Sequence, residues 1–145
     1  MIHLIAVAQY VQSHPLSILL AIVAAYAVGF IWHGPLFGKQ WMELNKLPKP
    51  KKENMKFSMM LPGLSASLVL SIVQSAVLGR TFQIVQLDNI GQALIIATIL
   101  WLPFTALVLV NIYAWSGKPV KLMVLDCAHA LVSIWAIAGV LYGTM

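Results

Sequence analysis

Charge is scarce in this chain. Only 9% of its 145 residues are Asp, Glu, Lys or Arg, and just four are acidic; soluble domains carry roughly 25%. A single cysteine, Cys127, excludes an intrachain disulfide and says nothing of the compartment. Also missing are a Gly-rich phosphate loop, an HExxH helix, a CxxC pair and a nucleophile elbow. The chain has no room for a soluble catalytic domain and no evident inverted repeat of the kind many transporters carry. The expectation is a protein that is not an enzyme and needs no cofactor.

What remains is apolar. Hydrophobic residues make up 61% of the chain, more than a soluble domain of this size can hide. The class is therefore an integral membrane protein in one domain. Its net charge of +5 is no nucleic-acid signal, because six of the nine basic residues crowd into one short loop. The partner chemistry implied there is anionic lipid headgroups.

Four spans follow from the apolar runs, at about residues 16–37, 57–78, 90–115 and 120–142. Each is long enough to cross a hydrocarbon core roughly 30 Å thick as a helix, and none alternates with the period of a strand. The fold class is all-α, a bundle of four transmembrane helices. Residues 1–14, closed by His14-Pro15, read as a short interfacial helix or an extension of the first span. They lack a basic n-region and a clear cleavage site, so a removed signal peptide is not expected. Pro62 and Pro103 are expected to bend or unwind their helices.

The basic residues set the expected orientation. Lys39, Lys46, Lys49, Lys51, Lys52 and Lys56 occupy the first loop, about residues 39–56, and Lys118 and Lys121 the third. The second loop has only Arg80, opposed by Asp88. The positive-inside rule then places loops one and three in the cytoplasm and both termini in the periplasm of a bacterial inner membrane.

Two patterns stand out within the spans. Gly63, Ser67, Ser71, Ser75 and Gly79 recur every four residues, a stripe that lets two helix backbones approach closely in lipid. Ala21, Ala25 and Gly29 form a shorter stripe, and Gly139 with Gly143 a GxxxG pair. The second pattern is polar. Asp126 lies inside an otherwise apolar run, where a carboxylate needs a partner, a cavity or a proton path. His33, Ser65, Asn111, Asp126 and His129 fall at similar depth and are expected to form one layer. Asp126 and His129, three apart, share a helix face. Two His and one Asp also suit zinc, but their spacing matches no compact motif, and no metal is expected.

The run from Gly29 to Trp41, GFIWHGPLFGKQW, resembles the hallmark of a family of small bacterial membrane proteins, the domain-of-unknown-function family numbered 1761. Gly29, Trp32, Pro35, Leu36, Phe37, Gly38 and Trp41 match the family pattern, while His33 stands where Tyr is more usual. The resemblance implies a four-helix layout and brings no activity. Physically, the three aromatic residues suit an interfacial belt, and Pro35 between Gly34 and Gly38 suits a helix-ending turn at the membrane surface.

The function expected from these features is association: a homo-oligomer or an accessory subunit of a larger membrane complex. The alternative is a small proton-linked transporter or channel using Asp126 and His129. A membrane enzyme or metal site around His33, Asp126 and His129 ranks last.

Overall fold

A computed structural model describes residues 2–46 and 60–145, with side chains from Ile5 onward. Six helices run through these residues, and four are long and apolar enough to cross a membrane. They are α1 (Ile2–Ser13), α2 (Pro15–Leu36), α3 (Gly38–Leu44), α4 (Leu61–Val85), α5 (Ile90–Ser116) and α6 (Val120–Gly143). No strand occurs among the described residues.

The helix limits have local causes. Pro15 and Pro62 sit in the first turn of α2 and α4, where a missing N–H costs nothing. Pro62 therefore does not bend its helix. Asn89 caps α5 by accepting from the Gln92 backbone N–H at 3.2 Å. Gly117 ends α5 in the left-handed region at φ 62°, which costs glycine little. The second span extends to Val85, past the expected end at Leu78, with Phe82 buried in the core and Arg80 donating to the Gln83 side-chain carbonyl at 3.1 Å. Its expected start at Phe57 lies outside the described residues, as do Lys49, Lys51, Lys52 and Lys56. Lys39 is not in a loop but on α3.

Prolines 35 and 103 each sit in a one-turn π segment, Trp32–Leu36 and Leu102–Ala106. A proline cannot donate to the regular ladder, and the wider turn re-routes the bond. The Phe37 N–H reaches back five residues to the Trp32 carbonyl at 2.9 Å. The sequence motif thus widens the end of α2 and carries it directly into α3, instead of ending it at a plain surface turn.

Helix α6 is the centre of the bundle and packs against α2, α3, α4 and α5. The core joins Ala21, Phe82, Ala97, Ile137, Ala138 and Leu141 with neighbours from the same four long helices. Alanines at the crossings let backbones approach, which is how helices gain dispersion in lipid. The outer surface is apolar: Phe30, Phe104 and Trp115 are 78%, 75% and 86% exposed. Such a surface suits acyl chains and not water.

Helix α1 is separate from α2 and lies against α4. Tyr10 is its anchor, 2% exposed, and its ring covers Gly79 so closely that any Cβ there would overlap it. Gly79 is thus needed for close approach. Burial pushes the Tyr10 phenol above its usual pKa.

Candidate functional site

Helices α2 and α5 end, α3 lies, and α4 and α6 begin at the end of the bundle that carries Lys118 and Lys121. Two polar constellations meet there. The first surrounds Asp126. Its carboxylate accepts from the Trp41 indole N–H at 3.1 Å and from the Tyr113 hydroxyl. Helices α3 and α5 are thereby tied to α6 across a half-buried carboxylate. Asp126 does point into the protein, but its hydrogen-bond partners are not the residues of the layer expected from depth, His129, Asn111 or His33. The reason is direction: α3 returns Trp41 over the start of α6, and the short α5–α6 turn brings Tyr113 alongside. Lys118 lies over the Tyr113 ring, 5.6 Å from its centre.

The second constellation is a histidine pair. His33 and His129 meet edge to face with ring centres 4.6 Å apart. The π segment of α2 presents His33, and the turn after Asp126 presents His129. Aromatic residues frame the pair. Trp41 lies 5.3 Å from His33, and Trp32 lies 5.8 Å from His129, each between ring centres. Phe37 packs on Trp32 at 4.6 Å. Ser133, one turn along α6, is 3.4 Å from His129 Nε2. Gly29 leaves space on the other side: a Cβ added there would stand 3.7 Å from the same nitrogen. Gly38 is needed for a different reason, since its Cβ would overlap the His33 carbonyl.

The pair borders a cavity of about 630 Å³ between α2, α4 and α6. Its polar lining comes from His33, His129, Ser67, Ser71, Gln74 and Ser133, with Thr105 from α5. Its apolar wall includes Phe30, Leu64 and Leu70. Tyr26 lines it too and donates to the Leu64 carbonyl at 2.5 Å, tying α2 to α4 beneath the opening.

The expected five-residue layer therefore separates. His33, His129 and Asp126 come together. Ser65 is exposed on α4, and Asn111 is exposed on α5, where it accepts from the Trp115 indole at 3.2 Å. The small-residue stripe also divides. Ser75 and Gly79 are buried against the bundle, with Tyr10 over Gly79; Ser67 and Ser71 line the cavity; Gly63 has no neighbour within 4 Å of an added Cβ among the described residues. Trp41, Tyr113 and Gln74 were missed as polar partners. Gln74 carried a signal, an amide in the middle of an apolar run. Tyr113 carried none, because tyrosine near a span end reads equally well as an interfacial anchor. Among the described residues, no group of three or more His, Cys, Asp and Glu is placed to hold a metal.

A family model described as a protein of unknown function, DUF1761, matches residues 16–142. The chain belongs to that family. No match is found among curated proteins or solved structures. The DUF1761 resemblance noted from Gly29 to Trp41 has a geometric content in this chain. Its residues build the π turn, hold His33, frame His129 and bind Asp126.

Proposed function

We propose that this DUF1761 protein is a non-enzymatic, proton-linked transporter of a small molecule, with its substrate site in the cavity between α2, α4 and α6. One observation carries the proposal: two contacting imidazoles open onto a roomy, partly polar cavity inside an apolar bundle. Histidine changes charge near neutral pH, and ionisable groups held at this depth normally mark a substrate or proton path. Asp126 is the structural neighbour in this scheme, holding α3 and α5 in place. The lysine-bearing end faces the cytoplasm of a bacterial inner membrane, and both termini face the periplasm, by the positive-inside rule.

The test is proton entry into proteoliposomes holding a trapped pH indicator, under an inward proton gradient. A small-molecule cell extract outside should accelerate entry by wild type and leave His129→Gln unaffected. No acceleration by wild type at any gradient would remove the transporter.

Association with a second copy or a larger complex is the second reading, and Gly139 and Gly143 favour it. Among the described residues neither has a neighbour within 4 Å of an added Cβ, which leaves this GxxxG face for another helix.

A further inference from the structure

The cavity's lining selects a class of occupant. Among the described residues it contains no carboxylate and no Lys or Arg. An organic cation would find no counter-charge among these residues. What it offers is two imidazoles, hydroxyls from Ser67, Ser71 and Ser133, and the Gln74 amide, against a wall of Phe30, Leu64 and Leu70. Phe30 and Leu70, 78% and 56% exposed, lie at its open side. The site is thus polar at the histidines and apolar towards the outside of the bundle. We propose that the cavity binds an amphiphilic monocarboxylate, its carboxylate at His33 and His129 and its apolar body along Phe30, Leu64 and Leu70, with one proton taken up by the histidine pair for each molecule bound. This inference rests on the proposed function and names its substrate class.

The linkage follows from the cost of burying charge. A carboxylate alone in a site of low dielectric pays a desolvation penalty, and so does an imidazolium alone. Together they neutralise each other and form a charge-assisted hydrogen bond. A protonated imidazole donates through both nitrogens, whereas a neutral one donates through only one. His129 Nε2, beside Ser133 and the space left by Gly29, is the available donor. The charged group acting on both histidines is Asp126. Its carboxylate is already bonded to Trp41 and Tyr113 and does not line the cavity. Trp41 on α3 stands beside His33, and the pair shares the cavity lining with Ser67, Ser71 and Gln74 on α4, Thr105 on α5 and Tyr26 on α2. The Tyr26 hydroxyl is bonded to the Leu64 carbonyl.

Calorimetry in lipid nanodiscs tests this, with empty nanodiscs as the blank. Octanoate represents a water-borne acid, palmitate added to the bilayer a lipid-borne one, and octanamide the uncharged control. At least one acid should bind with about one proton taken up, read from the dependence on buffer ionisation heat. Its affinity should fall by up to about tenfold per pH unit as rising pH makes the proton scarcer. Octanamide should bind at least tenfold more weakly, and His129→Gln should remove the pH dependence. Should His129→Gln not fold, by circular dichroism, Ser67→Phe on the exposed rim should block binding instead. Equal binding of octanamide, binding without proton uptake, or no binding of either acid above the blank would overturn the substrate class. The extract-driven proton entry described above does not depend on which class of molecule accompanies the proton. Its survival alongside such a result would confine the failure to the substrate class; its loss would remove the transporter itself.

Discussion

Replacing Asp126 by leucine should loosen the lysine-bearing end of the bundle. The substitution fills similar space, so packing changes little. It strands two donors, the Trp41 indole N–H and the Tyr113 hydroxyl, which lose the only acceptor shown for them. A hydrogen bond to a charged group is worth about 1.5–3 kcal/mol in water-based folding, but measured side-chain bonds inside membranes average about 0.6 and reach about 1.7 kcal/mol. The second scale applies, because the unfolded helices in lipid also find partners. Two bonds then give a loss of about 1–3 kcal/mol for Asp126→Leu. Asp126→Asn keeps one acceptor oxygen and should lose about half. Reversible unfolding in mixed micelles, combined with Trp41→Phe and Tyr113→Phe in double-mutant cycles, measures these terms. Coupling energies of about 0.6–1.7 kcal/mol are expected for each pair. Wild-type stability in Asp126→Leu, or no coupling to either aromatic residue, would refute the reasoning.

Other outcomes follow from α1 and from topology. Gly79→Ala should cost about 1–3 kcal/mol through overpacking against Tyr10, seen as a lower melting temperature and faster exchange in α1. Tyr10→Phe should leave stability unchanged or raise it, because the buried Tyr10 hydroxyl has no partner among the described residues. The raised Tyr10 pKa stabilises the fold below the unfolded value of about 10 and loses that contribution as pH climbs past it. Wild type should therefore lose stability above about pH 10 relative to Tyr10→Phe, in melting curves run side by side. Cysteine probes at Thr144 should label from outside intact cells, and labelling only after permeabilisation would reverse the orientation.

The architecture was largely legible because apolar run length is a direct readout of bilayer thickness. Pro15–Leu36, Ile90–Ser116 and Val120–Gly143 begin and end close to where hydropathy placed them. The site was legible only in part. Asp126, His129 and His33 drew attention as costly residues in an apolar setting; the two histidines meet, while Asp126 bonds Trp41 and Tyr113 beside them. Their pairing was not legible, because the i, i+3 spacing of Asp126 and His129 says they share a face but not what covers it. That cover comes from α3, a seven-residue helix hidden in what reads as a loop. The π turns were half visible: prolines announce a lost donor, but only the fold shows whether the helix stops, kinks or widens.

The proposed sharing of a proton by His33 and His129 is tested most directly by nitrogen NMR of isotope-labelled histidine in nanodiscs, titrated with and without octanoate or palmitate. An acid that binds should move the transition of at least one ring to higher pH, and His33→Gln should move the transition of His129. Rings indifferent to either acid, or a His129 transition indifferent to His33→Gln, would contradict the proposal.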